Sequence, residues 1–364
     1  MKKTRVYIDV FYYKTALSGV KTYIEELVYA TLNHGSDDIE YIFSHDISKM
    51  VNNQLFVNSK YRLIRWLFQI RYLFWKQIFL PIKLILNKAD IVICPDYVAP
   101  IISSCQKIVV IHDNLFWKYP KNYPSLWRKY FITIINWGLN NNTKIVTTSN
   151  YSLKGLSEIF KKNDIFSVYQ SSEIFKLKSK TAGHKKYILH IGTFEKRKNL
   201  LILIKAFKKL KDEENTKFKL VLAGSTYING HNETYRKIEK FIHEHNLFSS
   251  ILIPGYISNN EAKYFFSNAK MYIFPSIDEG FGIPLIEALK LNIPVICSNI
   301  PIFKEIEGDS ALYFEKNNVD DLYEKMKILI QNQKLLKKLT LKGKEKVKKF
   351  NRNNFIKEFE KIYN

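Results

Sequence analysis

The chain has 364 residues, of which 46% are hydrophobic and 15% aromatic, which excludes a disordered tail protein and supplies material for two cores; Cys94, Cys105 and Cys297 are too few and too scattered for a disulfide framework or a cysteine metal cage. Fifty-seven Lys and Arg against 34 acidic residues give a net charge of +23, so an acidic partner is expected: nucleic acid, an anionic membrane surface or a small phosphorylated molecule. The charge is spread over both halves instead of being gathered into a basic arm, which argues against nucleic acid.

The opening "MKKTRVYIDV" runs from two lysines straight into a strand at 5–9, so no secretory leader is expected. An amphipathic helix follows over 20–33, then a strand at 40–44 and a long helical stretch over 64–86. That stretch is the most apolar of the chain. Arg65, Arg71, Lys76 and Lys83 interrupt it, where a spanning helix needs about 20 mostly apolar residues, so it is not read as transmembrane. Residues 60–84 interleave basic and aromatic side chains, and two readings stay open: a face resting on an anionic lipid surface, or a helix packed on the sheet. Strands at 90–94, 107–111 and 144–148, with an aromatic helical segment near 125–139, complete the first half.

Residues 171–186 are polar and basic with no apolar period and read as linker. Alternation then resumes with strands at 187–191, 218–223, 251–253, 271–274, 294–297 and 311–314, and with helices starting near Asn199, Thr234, Asn260 and Ile283. This rhythm predicts an α/β protein of two domains, each a parallel sheet covered by helices, with ligand groups collecting where strands end. The expected division is 1–172, a linker 173–186, 187–345 and a Lys-rich terminal helix over 346–364.

The segment "MYIFPSIDEGFGIPLIEALKLNIPVICSN", 271–299, has the grammar of a ligand loop: a strand ends, glycines 280 and 282 flank Phe281, and a helix begins at Ile283. Such glycines let backbone N–H groups approach an anion, and a helix start adds about 0.3–1 kcal/mol of attraction for it. Glu279 and Glu287, eight positions apart, are natural acceptors for vicinal sugar hydroxyls, each charge-assisted bond being worth about 1.5–3 kcal/mol. In "YILHIGTFEKRKNLLILIKAF", 187–207, Gly192 ends a strand, and Lys196, Arg197 and Lys198 precede Asn199, the expected N-cap. Cations at a helix start oppose its dipole unless an anion sits among them, so the loop calls for a phosphate. Ser18 and Gly19 mark another loop-to-helix junction, and His112 and Asp113 follow a strand directly.

Taken together, these segments resemble the retaining glycosyltransferases of family four, also called the group 1 family, of the GT-B fold. "EGFGIPLIEAL" carries that family's E-x7-E signature with Glu279 and Glu287, "IGTFEKRKN" its phosphate loop, "SGVKTY" its amino-terminal glycine loop, and "VVIHDNLFWKYP" and "KIVTTSNYS" its strand-end segments. The resemblance implies two Rossmann-like domains facing each other across a cleft, an acceptor half and then a donor half, with the terminal helix returning to the first. It implies a UDP- or GDP-linked sugar as donor, a glycan or lipid-linked acceptor, and bacterial surface polysaccharide synthesis in the cytoplasm, with peripheral contact to the inner face of the membrane. Residue by residue, Glu287 would hold the ribose hydroxyls, and Glu279 the transferred sugar with Phe281 and Gly282. Arg197 and Lys198 would bind the diphosphate, Gly280, Ile283, Pro284 and Leu285 would complete the donor loop, His112 would contact the sugar, and Gly19 would lie near the phosphates. Many members carry Arg after the phosphate-loop glycine, where this chain has Thr193, so Arg197 is expected to supply the guanidinium. No D-x-D motif occurs, so neither metal nor cofactor is expected. A sucrose- or trehalose-synthase-like or phosphorylase-like enzyme and a nucleic-acid-binding protein are the disfavoured alternatives.

Overall fold

The computed structural model describes residues 3–16, 18–50, 62–140, 142–172, 187–226 and 232–363. The chain divides into two compact units, Met1–Glu173 with Phe350–Asn364, and Ile174–Lys349. The expected linker lies outside the described residues from 173 onward, as do residues 60 and 61 of the basic, aromatic stretch.

Six strands of the first unit, β1 (Thr4–Ile8), β2 (Ile39–Phe43), β3 (Ile91–Cys94), β4 (Gln106–Val110), β5 (Thr143–Thr147) and β6 (Ile165–Ser167), pair in parallel in the order β2-β1-β3-β4-β5-β6. Side chains alternate across the sheet, so Val6 and Ile8 join one core with Ile24 and Leu27 of the helix Ser18–His34, while Tyr7 joins the other with Val92 and Leu84. β6 has no counterpart among the expected strands. Its three residues are half-buried at the sheet edge, too few for a period to show.

The expected helix over 64–86 is three pieces, Arg62–Phe74, a π turn Trp75–Phe79 and Leu80–Leu86. Pro81 has no N–H to give the carbonyl one turn back, and the wider turn precedes it. Lys76 does not face outward from this stretch as an interrupting charge. Its ammonium is fully buried, 2.7 Å from Asp9 Oδ2 and 2.6 Å from Asp96 Oδ1, where β1 and β3 end.

The helix Arg352–Glu360 belongs to the first unit and packs on Ser18–His34. A buried ion pair fixes it: Arg352 Nη2 donates to Glu26 Oε1 at 2.7 Å and Nε to Oε2 at 3.1 Å, and the Ser171 hydroxyl donates to the same Oε2 at 2.5 Å. Residues 346–349 group with the second unit, so the returning segment opens at Phe350 and not at 346.

The second unit holds β7 (Tyr187–Ile191), β8 (Lys219–Ala223), β9 (Ile251–Gly255), β10 (Ala269–Phe274), β11 (Val295–Ser298) and β12 (Ala311–Phe314), all parallel in the order β12-β11-β10-β7-β8-β9. Its core is built from Ile188, Leu203, Phe207, Leu220, Ile273 and Ile296. Strand order reverses between β7 and β10, which brings the loops leaving their carboxyl ends side by side; parallel sheets bind ligands at such a point.

Candidate active site

The loop from β7 passes Gly192, Thr193 and Glu195 into a single turn, Lys196–Lys198, ahead of the helix Leu200–Glu214. The loop from β10 runs over 275–282 into the helix Ile283–Lys290. The Ile277 N–H donates to the Arg197 carbonyl at 2.8 Å and ties the two loops together.

Their meeting point is Glu279, which is buried. Lys198 Nζ donates to its Oε1 at 2.6 Å and Arg197 Nη1 to its Oε2 at 2.5 Å. Arg197 also donates through Nε to Glu195 Oε2 at 2.7 Å, and the Thr193 hydroxyl donates to Glu195 Oε1 at 2.8 Å. Lys198 Nζ lies 4.7 Å from the centre of the Phe274 ring, which adds a cation–π contact. Burial alone would raise the Glu279 pKa, but the Arg197 and Lys198 charges outweigh it and hold the carboxyl at about 2. Burial lowers the Lys198 pKa, and Glu279 opposes that shift. A carboxylate of the neighbouring loop therefore stands among the cations of the basic loop.

Asn199 stands at the N-cap position as expected but does not cap with its side chain. Its backbone is left-handed, at φ 52° and ψ 40°, with no capping bond, and its side-chain amide donates to Asn317 Oδ1 at 3.0 Å instead. Gly282 occupies the N-cap position of the next helix at φ 102°, a conformation that glycine alone adopts without strain. Of the donor-loop residues, Phe281 and Leu285 are buried, while Ile283 and Pro284 are half-buried. Pro284 has no N–H, and that of Leu285 donates to the Gly282 carbonyl at 2.9 Å, so neither supplies the loop with an outward donor. The N–H groups of Gly282 and Ile283 precede the first intrahelical bond. Glu287 stands half-buried on this helix. Burial raises the pKa of the Tyr272 hydroxyl well above its ordinary value, and the charges of Glu287 and Glu279 raise it further. That hydroxyl donates to the Ile191 carbonyl at 3.1 Å.

The expected residues of the first unit sit at their own sheet and helix ends. Gly19 is exposed near the start of the helix Ser18–His34, and a Cβ there would meet nothing within 4 Å. His112 follows β4, with Nε2 2.9 Å from the Pro95 carbonyl. A carbonyl only accepts, so Nε2 carries the proton and Nδ1 is left as the acceptor nitrogen. Burial lowers this pKa to about 4, keeping the ring neutral near pH 7. Tyr23 meets it edge-on at 4.8 Å between ring centres, and Tyr97 packs at 5.3 Å. Tyr97 takes φ 71°, a strained value for an aromatic residue, immediately after Asp96.

Residues 171–346 match the family described as glycosyl transferases group 1. That segment, which carries both loops of the site, belongs to the family. Similarity to individual proteins points the same way: the chain is 24% identical to the O-antigen chain mannosyltransferase B of Escherichia coli over 261 residues, covering 68% of this chain and 67% of that protein. It is 32% identical to a glycosyltransferase of Methanocaldococcus jannaschii over 243 residues, covering 66% of this chain and 63% of that protein. Among solved structures, sucrose-phosphate synthase from Thermosynechococcus elongatus has a TM-score of 0.69 at 16% identity, covering 99% of this chain and 98% of that one. A likeness at that identity shows the fold, which is the GT-B type.

The structure brings Arg197, Lys198 and Glu279 into direct contact and leaves Glu287 half-buried on the helix that follows the Glu279 loop. Three neighbours were missed by sequence reasoning. Glu195 sits inside the quoted "EKRKN", and its spacing of two from Arg197 was the available signal. Tyr272 and His190 lie inside strands, where they read as ordinary core residues. His190 is fully buried and bonds Nδ1 to the Ile273 carbonyl at 2.9 Å, and burial lowers its pKa to about 4. Its Nε2 is a buried atom without a partner and would lie 2.9 Å from a Cβ placed on Gly192. Among the described residues, no group of three or more His, Cys, Asp or Glu has the arrangement of a metal site, and no helix is long and apolar enough to cross a membrane.

Proposed function

We propose that this group 1 enzyme is a retaining hexosyltransferase that takes its sugar from a UDP- or GDP-linked donor and passes it to a glycan or lipid-linked acceptor in surface polysaccharide synthesis. It would work in the cytoplasm, in peripheral contact with the inner face of the membrane, without metal or cofactor. The observation that carries the reading is Glu279 clamped between Lys198 and Arg197 at the switch point of a parallel sheet.

The chemistry follows from charge. The bond between the anomeric carbon and the phosphate oxygen breaks with its electron pair on oxygen, so the leaving diphosphate gains negative charge while the sugar becomes cationic. The acceptor oxygen bonds to the carbon on the same face, and its proton passes to the departing phosphate oxygen. Lys198 and Arg197 stabilise that oxygen. They are held in place beforehand by Glu279, so little reorganisation is needed when the phosphates arrive. Glu279 then has its carboxylate beside the sugar, and Glu287 takes the ribose hydroxyls as paired acceptors. In the same reading His112 contacts the sugar and Gly19 lies near the phosphates, roles that rest on the family resemblance.

Thermal unfolding with a panel of nucleoside diphosphates and nucleotide sugars tests the donor class, since a ligand at 100 times its dissociation constant adds about 2.7 kcal/mol. UDP or GDP and their sugars should raise the Tm. No shift with any of them would remove the reading, and an inverted anomeric product by NMR would remove its retaining part.

A further inference from the structure

The helical stretch of the first unit is amphipathic in an unusual sense. One side buries Tyr72, Trp75, Leu80 and Leu84 in the core. The opposite side leaves Trp66, Leu67, Phe74, Ile78, Phe79 and Ile82 between 46% and 61% exposed, and Ile85 and Leu86 continue the face. Residues 67, 74, 78, 82 and 85 recur at helical spacing, so this is one continuous stripe. Tyr130 and Trp137 of the helix Ser125–Gly138 and Ile101 from the loop after β3 extend it, meeting Phe74 and Ile78 around one groove. A contiguous patch of this kind marks an interaction site, unlike apolar residues scattered singly.

The face is held in shape. The Ile101 N–H donates to Gln77 Oε1 at 2.9 Å, and buried Lys107 donates to the carbonyls of Pro100 at 3.1 Å and Gly138 at 2.6 Å, tying the loop to the end of the second helix. Between the two helices runs a groove of about 420 Å³, lined by Leu73, Ile78, Ile101, Tyr130, Ile134 and Trp137. Its lining is almost wholly hydrocarbon and aromatic.

Charge identifies the occupant. Neither Arg62–Leu86 nor Ser125–Gly138 contains a single acidic residue, whereas Arg71, Lys83 and Lys129 are exposed on them. A protein partner needs no such one-sided sign, but a negatively charged lipid surface does. Exposed Trp66, Tyr130 and Trp137 also suit the boundary between headgroups and acyl chains. We propose that this face docks on an anionic lipid bilayer, with the helical stretch lying in the interface and one lipid chain seated in the groove. The proposal gives the membrane contact of the functional reading a place in the chain, and its test does not depend on sugar transfer.

The full chain is sedimented with vesicles of phosphatidylcholine mixed with phosphatidylglycerol, and with phosphatidylcholine alone, over a salt series. Binding to the anionic vesicles that weakens with salt is expected. The double variant Ile82→Ser with Trp137→Ala should weaken it about tenfold or more, because both side chains lie on the docking face. Lys83→Glu with Lys129→Glu should flatten the salt dependence. All substituted side chains are exposed, so Tm and the thermal shift by nucleotides should stay at the wild-type values. Absence of binding by the wild-type chain, or equal binding by the apolar double variant, overturns the proposal. So does a concentration-dependent dimer that Trp137→Ala dissolves, since the face would then belong to a second copy. Loss of nucleotide binding alone would count against the transferase reading and leave this one standing.

Discussion

The ammonium of Lys198 lies 2.6 Å from Oε1 of Glu279, although 81 positions separate them in the chain. The sheet order creates this contact, because β10 pairs with β7 while β8 and β9 are placed on its far side. Cation and carboxylate leave adjacent strand ends and meet out of water. Replacing Lys198 with alanine is therefore expected to remove a preorganised stabiliser of the leaving group. Loss of one such donor is worth about 2.7–4 kcal/mol, or roughly 10²–10³-fold in turnover. Steady-state transfer assays measure it, with circular dichroism to show that the fold persists; near-normal transfer would dismiss Lys198 from the chemistry.

The same pair predicts an acid limb in stability. Glu279 has its pKa depressed to about 2 from an ordinary value of 4.5, so the folded state keeps it ionised where the unfolded chain takes up a proton. Its contribution is present above about pH 4.5 and is lost as pH falls towards 2. Urea unfolding at a series of pH values should show this loss for the wild type, and Glu279→Gln should be less steep across that window.

Glu307 works in the opposite direction. It is fully buried at the end of the helix Pro301–Glu307, where the Ser310 hydroxyl donates to Oε2 at 2.9 Å and Oε1 finds no partner. Burial raises its pKa to about 8 from an ordinary 4.5, so the folded state retains a proton that the unfolded chain releases. Stability from this group falls as pH rises from about 4.5 to 8. Glu307→Gln keeps the shape without the ionisation, and its unfolding free energy should change less between pH 6 and 8 than that of the wild type. Parallel curves for the two proteins would refute the assignment.

Much of the frame was legible in the sequence, and the reasons are local. The strands near 5–9, 90–94 and 271–274 are short apolar runs between turn residues, and the E-x7-E spacing announces itself by residue type. What was not legible depended on the third dimension. Lys76 read as a charge breaking an apolar stretch, because nothing nearby in sequence shows that Asp9 and Asp96 converge on it. That Arg197 and Lys198 both hold Glu279 was hidden too, because Glu279 belongs to a distant segment. Asn199 read as a cap on residue type alone, yet its left-handed backbone aims the side chain at Asn317. β6 offered three residues and no pattern.

Gly224 predicts a local failure. It sits at the end of β8 with φ 143°, and a Cβ there would come within 1.9 Å of the Gly192 carbonyl oxygen, which is backbone and has no rotamer to escape by. Gly192 begins the basic loop. Gly224→Ala should therefore destabilise the protein by about 1–3 kcal/mol and displace the 192–198 turn, weakening nucleotide binding more than a substitution of an exposed residue such as Lys240 would. Calorimetric Tm together with nucleotide titration measures both effects.

The buried cluster of Lys76, Asp9 and Asp96 sits where strand order reverses in the first sheet, between β1 and β3. Tyr72 donates its hydroxyl to Asp96 Oδ2 at 2.8 Å, and Trp75 donates Nε1–H to Asp9 Oδ1 at 2.9 Å, so one helical turn gives each carboxylate a neutral donor besides the Lys76 ammonium. Asp96 lies between Pro95, whose carbonyl holds His112, and the strained Tyr97 that packs against the same imidazole. Burial raises the Asp96 pKa to about 6 in spite of Lys76, while Asp9, buried as fully, is lowered on balance by the ammonium beside it. Lys76→Met would leave two carboxylates facing each other without a cation. Breaking a buried pair in this way costs about 3–5 kcal/mol, and part of it should return when Asp96→Asn is added, because one of the stranded charges is then removed. If the cluster also positions His112, the double variant should recover stability but not transfer rate. Full recovery of both in the double variant would limit Lys76 to a structural role.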